Sequence, residues 1–215
     1  MLKRNREDYK FKRKYIFHKV QMKKKTAYVL GFLLFFSMLF ISLDYAFVFG
    51  LIALGIISLI LERNKLWAWI PAIAVSGIWM AIAHHFYYGY DSLKLNVFGV
   101  ALFPILAWPL GLMAGFLMIS PLLKMEVWHQ RWIAMAVIYV IGLIALETIF
   151  YNLLGVKLHY GKSYPGWPLL NCFHIPRWMQ LGYFLNGIIF YGITSYVETT
   201  RPEMTSNSSS GNTDT

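Results

Sequence analysis

The chain has 215 residues, of which 58% are hydrophobic and 14% charged, and its formal net charge is +10 at pH 7. Soluble domains use charged residues for about a quarter of their sequence, so this composition excludes an ordinary soluble globular domain. A chain of this length forms one helical bundle and has no room for a second extramembrane domain of ordinary size. We therefore predict an all-α integral membrane protein.

Residues 1–26 form a basic tail, and eleven of the first 25 residues are Lys or Arg. Positive charge beside a first span marks the cytoplasmic side and attracts anionic lipid headgroups. We expect this tail to lie in the cytoplasm against the bilayer. It provides positive charge but neither a folded nucleic-acid-binding module nor a set of aromatic side chains on which bases could stack. We therefore expect no nucleic-acid partner.

Residues 27–197 are predicted to be a polytopic membrane domain. Residues 27–61 would form a single helix about 52 Å long, nearly twice the bilayer core. A hairpin of two spans fits better, with Asp44 in the turn capping a helix that begins near Tyr45. Four more apolar segments follow at residues 66–86, 97–119, 133–154 and 181–197. The lengths predict a bundle of about six transmembrane helices, with five as the alternative.

Six crossings place both termini in the cytoplasm, and we expect a multi-pass protein of the cell membrane. All but four of the 20 Lys and Arg residues then lie on the cytoplasmic side, in agreement with the positive-inside rule. Residues 198–215 end in a Ser-, Thr- and Asn-rich segment and are predicted to form a disordered cytoplasmic tail.

Histidines concentrate at the predicted outer boundary, where His84, His85, His159 and His174 account for four of the six. Histidine binds metals and shuttles protons near neutral pH. However, His84 and His85 point about 100° apart on a helix, which makes them poor joint ligands unless the helix has already ended. We interpret these side chains as interfacial hydrogen-bonding groups, with a metal site as the alternative, and expect no metal and no cofactor.

Glu147 is the lone acid inside its predicted span, roughly 10 Å below the outer edge by helix rise. An ionisable residue at that depth is costly and usually faces the bundle interior or a cavity. It can act as a proton carrier or a general acid. The alternative is a hydrogen bond to a neighbouring helix that serves packing alone. Tyr151 lies one turn further on the same face.

Trp108 lies between two prolines of the fourth predicted span, and prolines kink a helix. A kinked helix can line a pocket, and the alternative is ordinary packing against neighbouring helices.

Two segments resemble a known family. Tyr88-Gly89-Tyr90 followed by residues 97–108 is similar to the Tyr-x-Tyr and Gly-Val-Pro to Ala-Trp pattern of membrane carotenoid-biosynthesis hydratases. Downstream of Glu147, a second segment resembles that family's Tyr-Gly-x-Pro-x-x-Asn motif, namely Tyr164-Pro165-Gly166-Trp167-Pro168-Leu169-Leu170-Asn171. The resemblance covers roughly half the chain. His84 and His85 stand where the family has acidic residues.

The resemblance implies a polytopic enzyme that adds water to an isoprenoid double bond or otherwise protonates it. Such a reaction needs an acid in a dry pocket and aromatic walls that stabilise a carbocation. The expected catalytic residues are Glu147, Tyr151, His84 and His85. The expected substrate-binding residues are Tyr90, Trp108, Trp167 and Asn171. The partner is then an apolar lipid, and the alternative is a non-enzymatic membrane protein, either a small carrier or a scaffold.

Overall fold

The computed structural model describes residues 42–90 and 94–200, together with residues 26, 29–31 and 33. The predictions for residues 1–25, for most of the first span and for residues 201–215 lie outside the described residues.

Five α-helices form the described bundle: α1 (Leu43–Leu61), α2 (Trp69–Ala83), α3 (Leu102–Ile119), α4 (Trp128–Asn152) and α5 (Arg177–Thr200). Short 3-10 turns cover Arg63–Ala68, His84–Phe86, Ser120–Leu122 and His159–Ser163. The class is therefore all-α, as predicted.

Four helical segments are long and apolar enough to cross a membrane: Leu43–Leu61, Arg63–Phe86, Leu102–Leu122 and Trp128–Asn152. They match four of the six predicted spans. Helix α5 covers the predicted sixth span but is more polar, and it is not among these four segments. Within the described part of the chain, the predicted total of six spans stays a prediction.

Helix packing defines two ends of the bundle. Helix α3 packs against α1 and α2, while α5 packs against α2 and α4. Gly187 on α5 allows the ring of Tyr139 on α4 to lie directly against the helix backbone. One end, here called the hairpin end, contains the connections from α2 to α3 and from α4 to α5.

The connection from α2 to α3 differs from its predicted form. A span was expected to begin at residue 97, but residues 96–101 form a small antiparallel hairpin, and α3 begins only at Leu102. The turn residues Phe98 and Gly99 have positive φ angles of 51° and 83°. Two consecutive positive φ values are typical of a tight hairpin turn, which a continuing helix cannot contain.

Asp44 also differs from its predicted role. Helix α1 begins at Leu43 and has no side-chain cap hydrogen bond. Instead, the buried Asp44 carboxylate accepts hydrogen bonds from the backbone N–H groups of Lys94 and Leu95, at 2.7 and 3.0 Å. The prediction of a helix cap was wrong, because the side chain stabilises a distant segment beside the hairpin.

The opposite end is stabilised by a buried polar cluster around Glu198, the one acidic residue of α5. Its carboxylate pairs with Arg131 of α4 and accepts hydrogen bonds from the Ser120 hydroxyl at 3.0 and 3.1 Å. Lys65 donates to the same hydroxyl at 3.0 Å and lies 3.9 Å from the carboxylate. This cluster, here called the Glu198 cluster, connects the start of α4 to the end of α5.

Candidate functional site

Helix α4 turns one face toward the bundle, and Glu147 lies on that face. The Tyr139 hydroxyl donates to the backbone carbonyl of Tyr183 on α5, at 2.6 Å. Phe150 packs against Phe47, with ring centroids 5.9 Å apart. Positions 139, 147 and 150 share one side of a helix, because residues 3, 8 and 11 apart lie close to whole numbers of helical turns. Glu147 therefore points inward, as its depth in the span predicted.

An aromatic cluster occupies the space that this face borders. Its members are Trp79, Tyr87, Trp108, Phe173 and Tyr183. The ring of Tyr183 lies 4.8 Å from that of Trp108 and 5.8 Å from that of Trp79, both in edge-to-face geometry. Edge-to-face pairs are a favoured arrangement of aromatic rings, so the cluster is tightly packed and apolar.

One hydroxyl lies at the polar centre of this cluster. The Trp79 indole N–H donates to the Tyr87 hydroxyl oxygen at 3.0 Å. The Tyr87 hydroxyl in turn donates to that of Tyr183, at 3.0 Å. The hydroxyl of Tyr87 is thus connected to α2 and α5.

Glu147 lies within electrostatic reach of this centre. Burial raises the pKa of Tyr87 well above its usual range, and the Glu147 carboxyl adds to the rise. Burial also raises the pKa of Tyr90, with further contributions from Tyr87 and Glu147. The half-buried Glu147 carboxyl makes no hydrogen bond or ion pair with any other described residue.

Tyr90 and three phenylalanines form the neighbouring wall. Tyr90 packs edge-to-face on Phe103 with centroids 5.8 Å apart, and Phe103 contacts both Phe47 and Phe150. This wall joins α1, α3 and α4. Ring faces can stabilise a positive charge but cannot satisfy a carboxylate.

The loop from α4 to α5 covers the hairpin end of the aromatic cluster. Trp167 packs on Phe173 with centroids 5.1 Å apart, and its indole N–H donates to the Gln180 side chain at 3.1 Å. The Gln180 amide donates to the carbonyls of Phe173 and Ile175, both at 3.1 Å. Cys172 is fully buried, and burial raises the pKa of its thiol, with Glu147 adding to the rise.

Tyr151 and Asn171 lie in a second group in this loop. The ring of Tyr151 stacks on His174 with centroids 4.1 Å apart. Asn171 has a positive φ of 47°, lies 3.0 Å from the His174 Nε2 atom and donates to the Asn152 side chain at 3.1 Å. The structure therefore brings these two predicted site residues together through His174, which had been interpreted only as an interfacial group.

His84 and His85 lie elsewhere, in the 3-10 turn that follows α2. Their ring centroids are only 3.8 Å apart, because the α-helix has ended at Ala83. The helix has thus ended before the two histidines, which is the case in which the separation of about 100° was not expected to apply. No described contact joins either ring to Glu147, and no group of three His, Cys, Asp or Glu in the described part of the chain could hold a metal ion.

The sequence did not single out Tyr87 and Tyr183, which carry the hydroxyl pair at the centre of the aromatic cluster. Tyr87 directly precedes the Tyr-x-Tyr pattern, and Tyr183 lies in a helix with twelve other hydrophobic residues. Their partners are 8 and 96 positions away. The sequence does show tyrosines next to or inside apolar segments, which indicates buried hydroxyl groups. It does not show which residues these hydroxyl groups bond to.

Comparison of the chain with protein-family models, with curated proteins and with solved structures finds no match. The resemblance to carotenoid-biosynthesis hydratases stays a prediction.

Proposed function

We propose that the chain is a multi-pass protein of the cell membrane in which Glu147 acts as a general acid on an apolar, isoprenoid-like lipid. The observation that carries this proposal is the position of the Glu147 carboxyl. It faces an aromatic interior and has no hydrogen-bond partner among the described residues. An acid at this depth is costly in a membrane and usually has a function.

The reaction begins with transfer of the Glu147 proton to one carbon of a substrate double bond. The π electrons form the new C–H bond, and the adjacent carbon becomes a carbocation. Water then adds to the carbocation, and the proton that water loses returns to the Glu147 carboxylate. Loss of a neighbouring C–H proton to the same carboxylate gives an isomer instead. Each route restores the acid and needs no oxidant or reductant.

The surrounding aromatic residues supply the environment that this reaction requires. Trp108 and Tyr90 both pack against the aromatic cluster, and each lies in an edge-to-face array. Ring faces attract cations more strongly where water is excluded. Trp167 belongs to the loop that covers the aromatic cluster, so its proposed role is to exclude water.

Mass spectrometry of lipid extracts tests the proposal. A lycopene-accumulating bacterial host would express the wild type, Glu147→Gln and the control Glu126→Gln at matched membrane levels. Glu126 is exposed and lies between α3 and α4, outside the candidate spans. We expect a hydrated or isomerised lipid with the wild type and the control, and none with Glu147→Gln. Identical extracts from all variants and the empty host would contradict the proposal and favour a carrier or scaffold.

A further inference from the structure

Asn152, at the end of α4, fixes the direction of a hydrogen-bond chain in the loop from α4 to α5. Its side-chain nitrogen donates to the backbone carbonyls of Thr148 and Leu170, at 3.0 and 3.2 Å. A backbone carbonyl can only accept, so the Asn152 nitrogen must face these two groups, and the Asn152 side-chain oxygen faces Asn171. Asn171 therefore donates to that oxygen, at 3.1 Å, and turns its own side-chain oxygen toward His174.

Both ring nitrogens of His174 then face oxygen atoms that can only accept. The Nδ1 atom lies 3.1 Å from the backbone carbonyl oxygen of Tyr164, and the Nε2 atom lies 3.0 Å from the side-chain oxygen of Asn171. A neutral imidazole carries a proton on one nitrogen alone, whereas the imidazolium ion donates from both. The arrangement therefore fits the protonated histidine. Loss of the proton places a nitrogen lone pair against the Asn171 oxygen.

The ionisable side chains around His174 include no acid of the loop, since residues 153–176 contain no Asp or Glu. The Tyr151 ring of α4 stacks on the imidazole with centroids 4.1 Å apart, and a ring face attracts a cation. The Lys157 ammonium group also lies over the Tyr151 ring, 5.2 Å from its centre, and its charge opposes protonation of His174. The other ionisable side chains in the last two turns of α4 and in the loop are those of Glu147, His159, Tyr160, Lys162, Tyr164 and Cys172.

His174 connects this hydrogen-bond chain to the part of the loop that covers the aromatic cluster. Its ring lies directly against Gly166, where a Cβ atom would overlap the imidazole. Trp167 and Cys172 exchange a backbone hydrogen bond of 2.9 Å, and Trp167 packs on Phe173 of the cluster. Cys172 is fully buried beneath this segment. The position of the cover therefore depends on the bonds that the His174 ring makes.

We infer that the loop from α4 to α5 is a pH-sensitive cover, which protonated His174 stabilises in its closed position and which loosens when His174 loses its proton. Histidine changes charge between about pH 5 and 8. The proposed topology places this loop outside the cell, so acidity outside closes the cover over the aromatic cluster and a rise in pH loosens it. The inference concerns the loop alone and goes beyond the proposed reaction.

Reactivity of Cys172 tests the inference in the full chain, because this buried thiol lies within the cover. Purified protein in lipid nanodiscs would be treated with dithiodipyridine at about pH 5 and about pH 8. Each rate would be divided by that of denatured protein at the same pH, which removes the titration of the thiol itself. We expect this relative rate to rise about threefold to tenfold from the lower to the higher pH, because one hydrogen bond is lost.

Three variants assign the effect to His174. His174→Gln keeps an amide donor that does not titrate, so its relative rate should be the same at both pH values. Asn171→Gly removes the acceptor, and glycine tolerates the positive φ of 47° at this position. Its relative rate at the lower pH should approach that of the wild type at the higher pH. His159→Gln is the matched control, because His159 lies in the same loop but against Gly89, and it should respond to pH as the wild type does.

Nuclear magnetic resonance of the wild type, labelled with nitrogen-15 histidine, gives a second measurement that needs no folded variant at the site. The pH at which the His174 ring loses its second proton should coincide with the pH at which the Cys172 relative rate rises. A clear difference between these two pH values would overturn the inference. So would a wild-type relative rate that is the same at both pH values, or a pH response that His174→Gln retains in full.

Discussion

At the scale of single residues, the pKa of the Tyr87 hydroxyl depends on the groups around it, and alkaline titration can measure this effect. Burial is the main cause that raises its pKa, and Glu147 adds to it. A tyrosine whose folded pKa exceeds its unfolded value stabilises the fold below the unfolded value, about 10, and loses that contribution as pH rises through the folded value.

We therefore predict that Tyr87 stays protonated one pH unit above the usual tyrosine pKa. Tyrosinate ultraviolet absorbance of folded protein at that pH should be the same for wild type and Tyr87→Phe. A smaller absorbance in the variant would show that Tyr87 had ionised, against this prediction.

The Glu198 cluster gives a second prediction about a single side chain. Glu198→Gln removes the anion and leaves Lys65 and Arg131 close together with side chains only 10% and 12% exposed. Removing one partner of a buried ion pair leaves uncompensated charge, so we expect a loss of about 3 kcal/mol in the free energy of unfolding. Denaturant titration in micelles measures it, and the exposed control Glu126→Gln should unfold like the wild type. A loss as small as that of the control would contradict a structural role for the cluster.

At the scale of helices, glycine allows α4 and α5 to approach closely. A Cβ atom at Gly187 would meet the Tyr139 ring, whereas a Cβ at Gly142 of α4 would meet no atom within 4 Å. Overpacking usually costs about 1–3 kcal/mol, while Gly to Ala in an open helix position improves helix propensity.

We predict that Gly187→Ala lowers the free energy of unfolding by about 1–3 kcal/mol and that Gly142→Ala does not lower it. Equilibrium unfolding of both variants in the same micelles measures the difference. Equal stability of the two variants would contradict close packing of α4 against α5.

Helix boundaries show what sequence reasoning can reach at this scale. The apolar lengths predicted the four spans found, because a helix in lipid must satisfy its own backbone groups. The start of α3 was missed by five residues, since Phe98 adopts a positive φ in a tight turn that its side chain does not favour. The role of Asp44 was missed because its partners, Lys94 and Leu95, are 50 positions away or more.

The candidate site, like the helix boundaries, was predicted only in part from the sequence. Helix periodicity and the cost of burying an acid indicated the inward orientation of Glu147. The association of Tyr90 and Trp108 with Glu147 was proposed from a resemblance and stays a prediction, although both side chains pack against the aromatic cluster. The pairing of Tyr87 with Tyr183 could not be read from one sequence, because it depends on how α2 and α5 pack.

At the scale of the whole molecule, orientation in the membrane sets which side substrate and water enter from. The proposed topology places the hairpin end outside and the connection from α3 to α4 in the cytoplasm. Phe98 at the hairpin tip is 100% exposed, and Glu126 is exposed in the other connection.

We predict that Phe98→Cys reacts with a membrane-impermeant maleimide in intact cells, whereas Glu126→Cys reacts only after the cells are permeabilised. The background would carry Cys172→Ser, which removes the one native cysteine. Labelling of Glu126→Cys in intact cells with protection of Phe98→Cys would reverse the proposed orientation.

The most direct test of the central claim, that Glu147 gives a proton to carbon, is solvent deuterium incorporation. Membranes containing the wild type, Glu147→Gln or neither protein would be incubated in deuterium oxide, and the extracted isoprenoid lipids would be analysed by mass spectrometry. We predict a lipid that gains carbon-bound deuterium with the wild type only. Equal deuterium content in all three samples would contradict the claim that Glu147 is a general acid.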